Sequence, residues 1–334
     1  MQQDNAPANV RSLLRYRAAF YVVIAAGALA FSHHAHSAGW PEKPVRLIVP
    51  SGAGGVIDLQ ARLLAESFRA STRQPFVVDN RPGAGTLIGT ELVVASPADG
   101  YTALLNSANI AIISTLYATK FNPVKDLAAV SWVSSTPQVL IAHPSVPVKS
   151  VPELVALAKQ RPGIVKHGVN TLGSLGHLSA EMLNQFAGIN TTIVPFKSGV
   201  FAMTSLLSGE IDLLYASGPI VLLYLPSGKI RALAVTSARK SSVFPNVPTM
   251  NTFFPQFESE NWYAMFFPAN TPKAIVHAMH GLIVEALKDE RMREFMKSGA
   301  MDAVASSPET LSRYLERQVA TYAEVIRKGN IGLQ

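Results

Sequence analysis

Twice in this 334-residue chain, a short apolar strand leads into a glycine-rich loop and then into an amphipathic helix. The first unit comprises Val45–Val49, the loop 50–55 and the helical run 58–68. The second comprises residues 165–169, the loop 171–176 and the helical run 177–186. Strands that alternate with helices in this order form parallel, helix-covered sheets, so the sequence predicts an α/β protein.

The order of the apolar segments predicts two lobes. Residues 39–142 and 260–334 are assigned to lobe 1, and residues 143–259 to lobe 2. The apolar segments at about 130–142 and 260–267 are expected to cross between the lobes, and two long helices, at about 272–297 and 308–328, to pack back on lobe 1. Two crossings between two α/β lobes predict a hinged clamshell with a ligand cleft between the lobes.

The first 38 residues have the three parts of a secretory signal peptide. Arg11, Arg15 and Arg17 precede the uncharged apolar run 18–31, and small residues follow at Ala35 and Ser37. As a helix this run would span about 21 Å, less than the roughly 30 Å of a bilayer core, which favours a cleaved peptide over an uncleaved anchor. No later run reaches 18 uncharged apolar residues. The mature chain is therefore expected to be exported and to lie outside the membrane.

Composition excludes several classes of function. The chain has no cysteine, which removes disulfides, thiolate metal sites and a cysteine nucleophile. Its formal net charge is +7, but its basic residues are scattered, so nucleic acid is not an expected partner. Ile57 and Ile88 stand where a dinucleotide-binding motif needs its third glycine, and no Walker motif is present. No cofactor is predicted.

The two glycine loops are predicted anion sites. Glycines expose backbone N–H groups, and the helix after each loop points its positive end towards a bound anion. The candidate ligand-binding residues of these loops are Ser51, Gly52, Ala53, Gly54 and Gly55 in the first, and Gly173 and Ser174 in the second. A plain tight turn is the alternative for the first loop. Two such loops facing one cleft would hold both ends of an anion.

Five further side chains are candidate ligand contacts, namely Asp58, Ser107, Asn109, His177 and Ser217. Asp58 can equally cap its own helix, and His177 can equally be a partly buried histidine bonded to a loop.

Neither a metal site nor a catalytic residue is predicted. His277 and His280 lie one helical turn apart without a third ligand at matching spacing, so we expect a packed or solvated pair. Leu172 stands where a G-x-S-x-G nucleophile motif needs its first glycine.

Short motifs follow one another from residue 40 to residue 331. They are WPEKPVRLIVP at 40–50, NRPGAG at 80–85, DGYT at 99–102, PVKDL at 123–127, GS and HL at 173–174 and 177–178, VPFK at 194–197, IRALAVTS at 230–237 and PNVPT at 245–249. Together with the first glycine loop and Asp58, they resemble the Bug-type receptors, which are the periplasmic solute-binding proteins of tripartite tricarboxylate (TctC-like) transporters.

The resemblance implies a two-domain clamshell of the type II periplasmic-binding-protein fold, with mixed sheets flanked by helices. It also implies a small organic carboxylate held by backbone N–H groups, short side chains and water. Ser51 and Ile57 replace an aromatic and a polar residue of the family's usual first loop, and the segment Tyr215-Ala216-Ser217 lacks a usual acidic residue. We therefore expect a ligand with more apolar surface than aspartate or citrate, such as an aromatic or branched monocarboxylate.

The sequence as a whole predicts a monomeric, non-enzymatic binding protein that captures a small organic carboxylate and presents it to membrane permease subunits. Two alternatives stay open. One is a carboxylate sensor that contacts a signalling receptor, and the other is an enzyme acting on a carboxylate in the same cleft.

Overall fold

The strands that the structure describes form two separate sheets. A computed structural model describes residues 39–117, 119–170 and 172–332, so the predicted signal peptide, residues 1–38, lies outside the described residues. The strands are β1 Val45–Val49, β2 Phe76–Asn80, β3 Thr102–Ser107, β4 Leu127–Thr136, β5 Gln138–Ala142, β6 Lys166–Val169, β7 Thr192–Pro195, β8 Leu213–Ser217, β9 Arg231–Val235, β10 Asn261–Pro268 and β11 Asp302–Ala303.

Helices connect most of these strands. The α-helices are α1 Val56–Thr72, α2 Leu87–Val94, α3 Asn109–Leu116, α4 Val151–Gln160, α5 Leu175–Ala187, α6 Gly199–Leu207, α7 Gly218–Tyr224, α8 Lys273–Ala286, α9 Glu290–Ser298 and α10 Pro308–Lys328. Short 3-10 turns lie at Ala84–Thr86, Leu225–Ser227 and Met250–Thr252.

Both sheets are mixed. The first has the order β11-β4-β10-β3-β1-β2, and the second has the order β7-β6-β8-β5-β9. Strands that follow the β-loop-α pattern pair in parallel, as β1 does with β2 and β3, and as β6 does with β7 and β8. The crossing strands β4, β5 and β10 pair antiparallel with their neighbours. The fold class predicted from the resemblance, with mixed sheets flanked by helices, is confirmed. The alternation of strands and helices along the chain explains only the parallel pairs of strands in these sheets.

The first passage of the chain from one sheet to the other takes a single proline, Pro137. β4 belongs to the first sheet and ends at Thr136, and β5 belongs to the second sheet and begins at Gln138. Gln138 and Thr236 are joined by two hydrogen bonds of 2.9 Å, from the Thr236 N–H to the Gln138 carbonyl and from the Gln138 N–H to the Thr236 hydroxyl. The Ser259 N–H donates to the Thr236 carbonyl at 3.1 Å. The crossing segments are thus tied together where the sheets meet, while the lobe boundaries at 142/143 and 259/260 stay a prediction.

The long helix predicted over 272–297 is instead two helices, α8 and α9. The carboxylate of Asp289 accepts hydrogen bonds from the N–H groups of Arg291 (2.9 Å) and Met292 (3.3 Å), which caps a new helix. Four consecutive charged residues at 288–291 interrupt the apolar stripe at this break, and the prediction of one helix overlooks them. The helix predicted over 308–328 is confirmed as α10.

Aromatic side chains pack α10 against the first sheet. The ring of Trp132 stacks on Tyr314 at 4.2 Å between centroids, and Trp262 meets the same tyrosine edge-on at 5.6 Å. Gln185 on α5 donates from Nε2 to the Val325 carbonyl at 3.1 Å. The last helix therefore lies on the first sheet, as expected, and also contacts the helix that follows the second glycine loop.

Candidate functional site

A cavity of about 540 Å³ lies where loops from the two sheets meet, within the size range of small-molecule sites. The first sheet contributes the loop after β1, the end of β3 and the start of β10, and the second contributes the start of β5 and the loop after β6. The lining residues are Ser51, Gly52, Ala53, Gly55, Val56, Ile57, Ser107, Asn109, Gln138, Asn170, Ser174, Leu175, Gly176, Asn261 and Tyr263.

The first loop is held in shape from behind by Asp58. This buried carboxylate accepts hydrogen bonds from the Gly54 N–H (2.8 Å), from Arg62 Nε (3.0 Å) and from Asn80 Nδ2 (3.0 Å). Burial by itself raises the pKa of Asp58, but these hydrogen bonds and the Arg62 charge together hold it below its ordinary value. Asp58 is therefore ionised, and its oxygens are occupied by the loop that it supports.

The start of helix α1 faces the cavity. Its N-cap is Gly55, which offers no side chain to the first N–H groups of the helix, and Val56 and Ile57 in the first turn line the cavity. The backbone of Gly54 has φ +83°, a conformation that favours glycine. Such an uncapped helix start presents unpaired N–H donors and the positive end of the helix dipole to an anion.

The second loop is built in the same way at the start of helix α5. The Ser174 hydroxyl caps this helix by accepting from the His177 N–H at 3.2 Å. The Gly173 N–H donates to His177 Nδ1 at 2.9 Å, so this histidine braces the loop from inside. Burial lowers the pKa of His177, which keeps the ring neutral. Asn170 lines the cavity, and its side chain lies beside Gly176 and Gly199, at the starts of α5 and α6.

Polar side chains from the crossing strands form the floor of the cavity. Gln138 lines it from the start of β5, and Asn261 and Tyr263 line it from β10. Asn261 Nδ2 donates to the Tyr263 hydroxyl oxygen at 2.9 Å. Burial raises the pKa of Tyr263 to about 12, although the bond from Asn261 opposes the rise. The Tyr263 hydroxyl therefore keeps its proton at neutral pH.

Seven of the residues predicted to bind ligand line the cavity, namely Ser51, Gly52, Ala53, Gly55, Ser107, Asn109 and Ser174. The other five, Gly54, Asp58, Gly173, His177 and Ser217, lie outside the lining. Gly54 with Asp58, and Gly173 with His177, are paired with each other behind the loops. Ser217 ends β8 opposite Gln138 and immediately precedes helix α7. Asp58 neither lines the cavity nor caps α1, whose start receives no side-chain hydrogen bond; its carboxylate binds the Gly54 N–H of the loop instead.

Sequence reasoning missed the floor and Asn170. The floor residues are Gln138, Asn261 and Tyr263, and they lie in segments that the sequence analysis treats only as apolar crossings. The available signal for a site was a polar residue within an otherwise apolar strand. Asn170 immediately follows the predicted strand 165–169 and precedes the glycine loop. The only sequence signal for Asn170 is therefore its place between a predicted strand and a glycine loop.

The cavity has a neutral lining. None of the described residues that line it is charged, and eight of the fifteen have polar side chains. Among the residues that the structure describes, no three His, Asp or Glu side chains are grouped to hold a metal ion. Every helix within those residues is too short or too polar to cross a bilayer.

Two mixed sheets joined by crossing strands, with one cavity between the loops of both, define a binding protein of the periplasmic-binding-protein clamshell class. The chain belongs to the TctC family, described as Tripartite tricarboxylate transporter family receptor, which matches residues 60–331. The resemblance seen in the sequence motifs is thereby confirmed.

Relatives match over nearly their whole length. Protein BugT of Bordetella pertussis is 34% identical over 293 residues, which cover 86% of this chain and 90% of that protein. The structure of Rpa4515 of R. palustris with adipate is 31% identical and covers 88% of this chain and 99% of that one, with a TM-score of 0.68. A TctC solute binding protein from Polaromonas is 26% identical and covers 86% and 99%, with a TM-score of 0.80.

Proposed function

We propose that this protein is a non-enzymatic periplasmic receptor that captures a small organic carboxylate between its two sheets. One observation carries the proposal: glycine loops and helix starts from both sheets converge on one neutral cavity. Membership of a receptor family supports it.

A carboxylate needs several hydrogen-bond donors when it leaves water. The uncapped start of α1 supplies backbone N–H groups, and the helix dipole adds about 0.3–1 kcal/mol, or more in a partly buried geometry. Ser51 Oγ is buried beside this loop and makes no hydrogen bond within the described residues, so its hydroxyl is available to a ligand. Backbone and hydroxyl donors can thus bind the anion without an arginine or lysine.

The lining favours a carboxylate with an apolar middle. Ala53, Val56, Ile57 and Leu175 form its apolar part, beside the polar loops and floor. Adipate, which is named with the R. palustris relative, has four methylene groups between two carboxylates and is the first probe. It has more apolar surface than aspartate or citrate, as the substitution at Ile57 predicts. Aromatic and branched monocarboxylates are the second class to test.

We infer that residues 1–38 are removed on export, that the mature chain acts as a monomer in the periplasm, and that lobe closure presents a surface to permease subunits. Mass spectrometry of the periplasmic protein would give the cleavage site. Retention of the full 334-residue mass would contradict cleavage.

The proposed function is tested by thermal unfolding against a panel of aliphatic di- and tricarboxylates, aromatic acids, branched acids and amino acids. A ligand at 100 times its dissociation constant adds about 2.7 kcal/mol, which raises the midpoint by about 5 °C. We expect a shift from one chemical class, with the ligand recovered unchanged. Chemical conversion of the bound ligand would contradict the receptor assignment, and no shift from any acid would contradict carboxylate capture.

A further inference from the structure

The floor of the cavity contains an amide whose orientation is fixed by a neighbour. Gln138 lines the cavity, and its Oε1 accepts a hydrogen bond from the Ser179 hydroxyl at 3.1 Å. Because the carbonyl end of the amide is held by Ser179, the end left for the cavity is Nε2, which carries two N–H donors.

Ser179 is itself held in place. It is fully buried on α5, and its Oγ lies 2.8 Å from the Leu175 carbonyl and 2.7 Å from the Ser259 hydroxyl. The single hydroxyl proton of Ser179 is shared between two oxygens that can only accept, Gln138 Oε1 at 3.1 Å and the Leu175 carbonyl at 2.8 Å. The Ser259 hydroxyl is therefore the donor in the 2.7 Å bond. Groups from α5 and from the segment before β10 together orient Gln138.

Two more lining hydroxyls are oriented in the same sense. The Tyr263 oxygen accepts from Asn261 Nδ2, and the Ser174 oxygen accepts from the His177 N–H. No hydrogen bond within the described residues uses the hydroxyl proton of Tyr263 or of Ser174, so both protons are available to a ligand. The oriented side chains of the cavity thus present donors.

An ammonium group needs the opposite arrangement, preferably a carboxylate acceptor. No carboxylate lines the cavity among the described residues, and Asp58 behind the first loop already accepts from three groups. We propose that Gln138 is a specificity-determining residue, which donates from Nε2 to a ligand carboxylate and excludes analogues that carry an α-ammonium group. This inference rests on the proposed function and names the class of carboxylate that the same site takes.

Leaving a charged group without its partner costs enough to weaken binding about ten- to hundredfold. The test is calorimetric titration of the purified protein with matched pairs that differ only by the α-ammonium group. The pairs are succinate and aspartate, glutarate and glutamate, adipate and 2-aminoadipate, 3-phenylpropionate and phenylalanine, and 4-methylpentanoate and leucine. We expect the acid without the amine to bind at least tenfold more tightly in whichever pair binds.

Gln138→Glu replaces the donor by a carboxylate of nearly the same shape. It should weaken binding of the acid and reduce the preference for the acid over its amino acid at least tenfold. Gln160→Glu is the matched control. Gln160 is exposed at the end of α4, so this substitution adds the same charge away from the cavity. Ser179→Ala frees the Gln138 amide to rotate and should reduce the preference, whereas Ser179→Thr keeps the hydroxyl and should retain it. The preference ratio is the readout, since a purely structural change would weaken both ligands of a pair alike.

The outcomes separate the two proposals. Equal binding of acid and amino acid by the wild type overturns the role of Gln138 and leaves the proposed function standing. If Gln138→Glu leaves the preference for the acid over its amino acid unchanged, Gln138 does not determine the specificity. Failure of every pair to bind overturns the inference, and the proposed function falls with it only if the wider panel of acids also gives no thermal shift.

Discussion

Two buried groups with opposite pH responses, Glu260 and His167, should nearly cancel in the stability of this protein between pH 7.5 and 5. Burial raises the pKa of Glu260 to about 7 from its ordinary 4.5. The neighbouring carboxylates of Glu258 and Asp302 add to the rise. The Ser135 hydrogen bond and the Arg239 charge oppose it.

His167 responds in the other direction. It is fully buried, stacks on the Tyr215 ring at 5.2 Å, and neither ring nitrogen makes a hydrogen bond within the described residues. Burial, with a further contribution from nearby His177, lowers the pKa of His167 to about 3 from its ordinary 6.5.

The signs follow from proton binding in the folded and unfolded states. Between pH 7 and 4.5 the folded state holds the Glu260 proton more tightly, so acidification to pH 5 adds about 2 kcal/mol to the free energy of unfolding. Between pH 6.5 and 3 the unfolded state takes up the His167 proton more readily, so the same acidification removes about 2 kcal/mol.

Glu260→Gln and His167→Phe separate the two groups. Urea unfolding is followed by tryptophan fluorescence and circular dichroism from pH 7.5 to 5. At each pH the free energy of unfolding of the variant is subtracted from that of wild type, which removes the contributions of titrating groups that both proteins share. On acidification, the stability of Glu260→Gln should fall by about 2 kcal/mol relative to wild type, and that of His167→Phe should rise by about 2 kcal/mol. Profiles that run parallel to wild type would refute the reasoning.

Three further changes test the loops, each by urea unfolding at pH 7.5 with titration of the best panel acid. Asp58→Asn removes the charge that Arg62 and the first loop bind, and should cost about 2 kcal/mol and weaken binding; unchanged binding would mean that the loop does not need its brace. Gly54→Ala should cost about 1 kcal/mol through backbone strain alone, because nothing lies within 4 Å of the added methyl group; a neutral effect would contradict the φ of +83°. Ser174→Ala removes the cap of α5 and should cost about 1 kcal/mol, while Ser174→Asp should retain the cap but repel an anion; tighter binding by Ser174→Asp would contradict an anion site there.

The local part of the fold is predictable from the sequence. Buried runs such as Val45–Val49 and the amphipathic faces of α1 and α5 are local patterns, and they place both glycine loops correctly. The partners of β10 are not local, because this strand lies between β3 and β4, more than a hundred residues earlier in the chain. The break between α8 and α9 depends on the cap Asp289, which lies in a run of four charged residues at 288–291; that local signal is overlooked by the prediction of one long helix.

The site divides in the same way. The loop residues Ser51–Gly55 and Ser174 follow from glycine-rich sequence at a helix start. Gln138 and Asn261 do not, because they become neighbours of the loops only when the two crossings are assembled. Asp58 and His177 have the chemistry of ligand contacts, but the hydrogen bonds that each makes to its own loop turn them into supports.

Capture of a carboxylate in the cavity between the sheets is tested most directly by blocking that cavity. Gly52 lines it, and nothing lies within 4 Å of a Cβ added there, so the backbone accepts Gly52→Phe and the ring should fill the cavity. Gly281→Phe on α8 is the matched control, since Gly281 is also open and lies outside the lining. In calorimetric titration with the acid that gives the largest thermal shift, we predict that Gly52→Phe loses binding while Gly281→Phe and wild type bind alike. Wild-type affinity in Gly52→Phe would place the ligand elsewhere and contradict the account.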